Sequence, residues 1–206
     1  MYRMYGKRCL DLAVAIPAAF FLLPVIALIG LLVRINLGAP VFFRQERAGR
    51  HGKYFTMVKF RTMTEERDRR GNLLPDAQRI TPFGYFLRST SLDELPTFLS
   101  VLLGHMTLVG PRPLPIRYLT RYNPEQMRRH EVTPGITGWA QINGRNNITW
   151  EHRFTLDVWY VDRLSFSLDC KILFLTFIKV FQQEGVSPTD DATMEEFIGS
   201  QGGIQV

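Results

Sequence analysis

Residues 88–96, Arg88-Ser89-Thr90-Ser91-Leu92-Asp93-Glu94-Leu95-Pro96, place two adjacent carboxylates behind a cation and a run of hydroxyl side chains. In its plainest form this is a helix start, because Ser91 and Glu94 have the S-x-x-E spacing of a capping box. The same geometry suits chemistry. A helix's first turn presents unpaired N–H groups and a partial positive charge, so an aspartate there stays ionised beside an anion site. An ionised carboxylate can attack phosphorus, give an acyl phosphate and split one transfer into two. Two neighbouring acids repel unless a cation joins them. Mg²⁺ suits that task when a pyrophosphate is present, because it takes carboxylate and phosphate oxygens together. Attack by an anion on an anionic phosphate also needs neutralising charge. Lys59, Arg88, Arg112 and Arg145, each on or beside a loop, are the candidates. His51, His105, His130 and His152 show no metal-ligand spacing. Neither G-x-x-x-x-G-K-[ST] nor G-x-G-x-x-G occurs, so P-loop and Rossmann nucleotide sites are unsupported.

The elements that must hold these groups begin with a membrane segment. From Leu10 to Val33 the chain is apolar except for Asp11, Pro17, Pro24 and Gly30, and the run is long enough to span a bilayer. No small-x-small cleavage site closes it as a signal peptide. Pro17 and Pro24 each remove an N–H and can kink a helix. Arg3, Lys7 and Arg8 precede the run; Arg34, Arg44, Arg47 and Arg50 follow it. Both flanks are basic, so both ends favour the cytoplasmic side. A re-entrant helix bent near Pro24 satisfies both flanks, and a single span is the alternative. Asp11 is expected near the interface, beside water or headgroups.

The 206 residues carry a net charge of +6, which favours an acidic partner such as an anionic membrane, a phosphorylated substrate or nucleic acid. No nucleic-acid module appears. Cys9 and Cys170 stand apart and read as buried free thiols, with neither a zinc site nor a disulfide framework. Pro40–Met63 reads as a hairpin around the glycine-rich, basic segment 47–53. Helical patterns cover Thr64–Arg70, Ser91–Leu103 ending at Gly104, Glu125–Glu131, Thr149–Asp162 with Thr149 as N-cap, and the apolar Phe166–Phe181. The aromatic stretch Ile80–Arg88 suits a core or an interfacial helix. Segments 109–113, 133–138 and 143–147 read as loops. The expected class is α+β, mostly helical. Residues 1–36 form the membrane helix, 37–185 the catalytic domain with short β-hairpins and interfacial amphipathic helices, and 186–206 a polar tail with little part in chemistry.

Several strings together carry a family resemblance: Gln45–Gly49, Lys59–Met63, Ser91–Pro96, Val109–Pro113, Pro134–Gly138, Gln141–Arg145 and Asp157–Tyr160. In this order, behind an N-terminal membrane helix, the chain resembles the small monotopic phosphoglycosyl transferases of the bacterial sugar transferase family, of the PglC type. The resemblance implies transfer of a sugar 1-phosphate from a UDP-sugar to undecaprenyl phosphate with release of UMP. Asp93 falls on the family's nucleophile, which forms a phosphosugar-aspartyl intermediate. Glu94 completes the acidic dyad and helps hold Mg²⁺ or orient Asp93. Arg112 is expected near the nucleotide or phosphates. The resemblance also implies a re-entrant helix and a catalytic domain on the cytoplasmic face of the inner membrane. Where many members carry Ser-Pro at the helix break, this chain has Leu23-Pro24. Glucose, galactose, N-acetylhexosamine and bacillosamine-type donors all fit this reading. A non-enzymatic, basic adaptor for anionic lipid is the competing reading, and it has no use for the acidic pair.

Overall fold

A computed structural model describes residues 2–144, 148–181 and 196–199. The fold is α+β and mostly helical. A π-helical turn, Tyr2–Gly6, leads into α1, Lys7–Leu37. The hairpin strands β1, Phe42–Ala48, and β2, Tyr54–Phe60, follow. Next come α2 (Asp76–Arg79), α3 (Pro82–Ser89), a 3₁₀ segment (Leu92–Phe98), α4 (Leu99–Leu102) and β3 (Thr107–Val109). The chain continues through a 3₁₀ segment (Ile116–Arg121), α5 (Pro124–Met127) and a further 3₁₀ turn (Arg128–Glu131) into β4 (Gly135–Thr137). Helices α6 (Trp139–Asn143), α7 (Trp150–Arg163) and α8 (Phe166–Phe181) follow.

Helix α1 remains helical through Pro17 and Pro24. It alone among the described helices is long and apolar enough to cross a membrane. One face is buried at Lys7, Asp11, Ala15 and Ala19, then at Ile26, Ile29 and Val33. Spacings of three, four and seven keep these positions on one stripe. Ala15 joins a core formed by Phe55, Met57, Val101, Met106, Leu108 and residues of α7 and α8. Ile26, Ile29 and Val33 join a second core with Phe60 and Leu87. The other face presents Ile16, Phe20, Phe21, Leu28, Leu31 and Ile35 outward, with Phe20 76% exposed.

Polar contacts fasten the foot of α1. Lys7 Nζ lies 2.7 Å from Asp169 Oδ2 and 3.1 Å from Tyr160 Oη, and Arg8 donates to the carbonyls of Val101 and Leu102. Asp11 is buried rather than interfacial. It accepts from Leu108 N at 2.9 Å and lies 2.7 and 2.8 Å from Thr107 Oγ1. A carboxylate inside an apolar segment is costly unless paired, and here β3 supplies the donors. At the other end Arg61 donates to the carbonyls of Leu37 and Ala39, satisfying acceptors that the helix end leaves open.

The hairpin expected within Pro40–Met63 forms, and it pairs Phe42 with Phe60 and Ala48 with Tyr54. Segment 64–70 differs from the helix expected there. Asp68 accepts from the backbone N–H groups of Arg70 and Asn72, and Arg67 bridges to Leu73. Such local side-chain bonds favour a turn over a helix. Residues 91–103 are also not one amphipathic α-helix. Pro96 has no N–H for the ladder, so the chain tightens into 3₁₀ before α4. The segment 133–138 contains β4, which pairs in parallel with β3. A Cβ on Gly135 would come within 2.1 Å of Gly110 N, and one on Gly138 within 2.2 Å of Gly110 O. These glycines therefore permit the two strings to touch. Cys9 and Cys170 are exposed, not buried. From the tail, Phe197 is 2% exposed and packs on Tyr118, Tyr122 and Phe154.

Candidate active site

The acidic pair occupies the first turn of the 3₁₀ segment Leu92–Phe98. Ser91, which leads into it, is left-handed at φ 56°, an uncommon conformation for a residue other than glycine. Its side chain makes no capping bond, so the capping box read from the sequence does not form. Instead the Ser91 carbonyl accepts from Glu94 N at 3.2 Å. The Glu94 side chain turns toward cations. Its Oε1 lies 2.7 Å from Lys59 Nζ and 2.8 Å from Arg112 Nη2.

Three elements deliver these two cations and a third, Arg88. Lys59 sits on β2, which packs against the 3₁₀ segment and is held there by Thr97 Oγ1 donating to the Val58 carbonyl at 2.9 Å. Arg112 belongs to the Gly110–Pro113 turn after β3, where prolines flank it. Arg88 closes α3 and donates from Nε to Thr62 Oγ1 at 2.9 Å. That approach requires Gly84, since a Cβ there would meet Thr62 O at 1.8 Å.

Asp93 is 9% exposed, and this burial raises its carboxyl from 3.8 to about 6. Lys59, Arg88 and Arg112 pull the value down and Glu94 pushes it up, but loss of water dominates. Glu94 moves oppositely, to about 2, first because Arg112 stands beside it and then because Lys59 does. One carboxyl is thus held firmly as an anion while its neighbour titrates close to neutrality.

A cavity of about 190 Å³ opens beside Glu94. Glu94, Arg112 and Ser91 give it a polar side, and Met57, Phe98 and Ile136 a carbon wall. The structure therefore brings together Asp93, Glu94, Lys59, Arg88 and Arg112. Arg145 lies outside the described residues. Among the described residues no group of three His, Cys, Asp or Glu side chains assembles as a metal cage. Two adjacent carboxylates fit an ion of the Mg²⁺ kind that takes its other ligands from phosphate and water.

Arg47 also lines this cavity and is buried, although the sequence presents it only as part of a basic turn. Period-two alternation along β1 was the available signal: Gln45 and Arg47 share a face, and Arg47 Nη2 donates to Gln45 Oε1 at 2.6 Å. The sequence assigns no chemical role to Arg129 or Asp157 either. They form a buried pair directly behind Arg112, with Arg129 Nη2 donating to the Arg112 carbonyl at 2.8 Å.

Comparison with known proteins gives the chain its relatives. Residues 2–183 match the family described as bacterial sugar transferase. The chain is 57% identical over 201 residues to the "Uncharacterized sugar transferase EpsL" of Bacillus subtilis (strain 168), covering 96% of this chain and 98% of that protein. It is 41% identical over 195 residues to the "UDP-glucose:undecaprenyl-phosphate glucose-1-phosphate transferase" of Xanthomonas campestris pv. campestris, covering 89% of this chain. The protein of the same name from Escherichia coli (strain K12) is 42% identical over 185 residues, covering 85% of this chain. Each of these two matches takes in only 40% of the longer relative. With one family matched from residue 2 to residue 183, through the acidic pair and the loops around it, the chain belongs to the bacterial sugar transferase family.

Proposed function

We propose that this chain is a membrane-associated phosphoglycosyl transferase that moves a sugar 1-phosphate from a UDP-sugar to undecaprenyl phosphate, with Asp93 as nucleophile. The observation that carries this reading is a buried aspartate next in sequence to a Glu94 that binds Lys59 and Arg112 and lines a cavity with Arg112. An Asp93 oxygen attacks the β-phosphorus. The bond from that phosphorus to the bridging oxygen breaks, and UMP leaves with the oxygen. A phosphate oxygen of undecaprenyl phosphate then attacks the same phosphorus, forms the pyrophosphate linkage and frees Asp93.

Lys59, Arg88 and Arg112 neutralise the incoming phosphates, so that anion meets anion without a large electrostatic barrier. Burial keeps water from competing with the acceptor for the acyl phosphate. Glu94 holds Lys59 and Arg112 in place as a permanent anion. Asp93 and Glu94 are the residues that would hold Mg²⁺, whose contribution when bound is charge neutralisation at the pyrophosphate. The names of two relatives support undecaprenyl phosphate as acceptor and make UDP-glucose the first donor to try.

The lipid acceptor calls for a site at the membrane surface. In this reading α1 is re-entrant: it enters and leaves one leaflet, with the catalytic domain on the cytoplasmic face of the inner membrane. Both of its ends are fastened to the same globular unit, by Lys7 to Asp169 and by Arg61 to the Leu37 carbonyl. A straight passage would separate those two contacts by a bilayer.

The test is UMP release from a panel of UDP-sugars by the full chain in nanodiscs containing undecaprenyl phosphate, with mass spectrometry of the trapped protein. A phosphosugar adduct on Asp93 is expected, and Asp93→Asn should lose both adduct and UMP release. Near-normal turnover by that variant, or an adduct on another side chain, would overturn the mechanism.

A further inference from the structure

Asp157 and Tyr160 belong to a string that the chemistry above does not use. They lie three residues apart on α7, so they share a face of that helix. Both are buried, and Tyr160 reaches the loop that presents Arg112 directly. Tyr160 Oη lies 3.0 Å from the Val109 carbonyl oxygen, where the loop begins. Its single proton is shared between that oxygen and Asp169 Oδ1 at 2.7 Å, and Lys7 Nζ donates to it at 3.1 Å. Asp157 acts one step removed. Its Oδ2 accepts from Arg129 Nε at 3.0 Å and Nη2 at 2.8 Å. The same Arg129 Nη2 donates to the Arg112 carbonyl.

Arg129 is itself fixed. It is 2% exposed, and its guanidinium lies over the rings of Tyr122 and Phe154. Few geometries let one planar fork meet a carboxylate, a carbonyl and two ring faces together, and a lysine ammonium has no such fork. We infer that Asp157, through Arg129, and Tyr160 directly are positioning residues: they grip the two ends of the Val109–Arg112 segment and thereby set the Arg112 guanidinium on Glu94. This inference rests on the reading of Asp93 and Glu94 as the reacting centre. It assigns α7 a part in catalysis without contact with substrate.

A displacement of about 1 Å in a charged group that serves the transition state lowers rate on the order of 100-fold. Removing either partner of the buried pair alone would strand a charge and endanger folding, whereas replacing both with apolar residues is tolerated far better. The experiment therefore uses the double variant Arg129→Met with Asp157→Leu, the variant Arg129→Lys, and the minimal variant Tyr160→Phe, all in the full chain in nanodiscs. UMP release is measured with UDP-glucose, or with the donor that the panel selects, and thermal unfolding is followed in parallel.

All three are expected to remain folded. The double variant should lose 10- to 100-fold in kcat with donor KM within about threefold of wild type. Arg129→Lys should not rescue it, and Tyr160→Phe should lose kcat in the same sense but less. A folded double variant with wild-type kcat overturns the inference. So does a rise in KM with kcat unchanged, or rescue by lysine, because each would mean that the fork does not place Arg112. A wild-type protein that transfers sugar phosphate with no Asp93 adduct would sink the nucleophile assignment instead, and leave the dependence of kcat on Arg129 to be judged separately.

Discussion

At the scale of single residues, burial and charge act in opposite directions on two neighbouring carboxyls. Glu94 is an anion throughout the working range, because Arg112 and Lys59 favour its charge. Asp93, titrating at about 6, is ionised only at a cost to the fold. The unfolded carboxyl titrates near 3.8, so this cost is absent below about pH 4, grows between 4 and 6, and is full above 6. The shift corresponds to roughly 2–3 kcal/mol. Asp93→Asn should therefore raise the unfolding temperature at pH 8 by several degrees while removing activity, and the gain should vanish near pH 4. Thermal scans in chelator-containing buffer check this, and a lower Tm at pH 8 would contradict burial as the dominant cause. His130 gives the opposite slope. Burial and the Arg129 charge depress it to about 4, Nδ1 bonds the Gly49 carbonyl, and Nε2 is buried with no hydrogen-bond partner among the described residues. Its neutral form stabilises the fold fully above pH 6.5, and that stability is lost as pH falls toward 4. His130→Gln should flatten the fall in urea midpoint over this window relative to wild type.

Elements explain why these residues meet. The acidic pair and its cations are legible in the sequence because adjacent acids, a Pro-Arg-Pro turn and a lysine ending a strand are each local signals. The hairpin and the boundaries of α8 follow from local composition, β-prone runs around a glycine-rich turn and one apolar run, for the same reason. What local patterns do not carry is pairing across distance. Asp157 and Arg129 stand 28 residues apart, and nothing near either one announces the other. The parallel strands β3 and β4 are three residues each, too short for a periodic signal, and depend on Gly110, Gly135 and Gly138 for their approach. Asp11 is the same kind of case. Read locally it belongs at an interface; its partners on β3 lie 96 and 97 residues away. Asp11→Ala strands the Leu108 N–H and the Thr107 hydroxyl in the core, and should cost about 1–3 kcal/mol of stability by denaturant unfolding. Asp11→Asn, which keeps an acceptor, should cost less.

At the scale of the whole molecule, α1 is a greasy outer face on a polar unit. Its 31 residues are about 46 Å long at 1.5 Å per residue, longer than the hydrocarbon core of a bilayer. Only one stripe along that length is buried. If the helix re-enters, single cysteines at Tyr5 and Asn36, in a background lacking Cys9 and Cys170, should both react with an impermeant maleimide added to one side of sealed vesicles. A cysteine at Phe20 should resist from either side until detergent is added. Labelling of positions 5 and 36 from opposite sides would establish a span.

The contact between Lys7 and Asp169 also governs the order of assembly. The two residues are 162 positions apart, and Asp169 is fully buried. A ribosome releases the first helix long before its partner exists, so the lipid-loving segment must reach the bilayer with its lysine unmatched. Closure of this contact then waits for α8, although α1 also bonds β3 and the Val101 and Leu102 carbonyls. Contacts of such long range fold slowly. Translation that stops before residue 169 should leave a membrane-bound, protease-sensitive fragment.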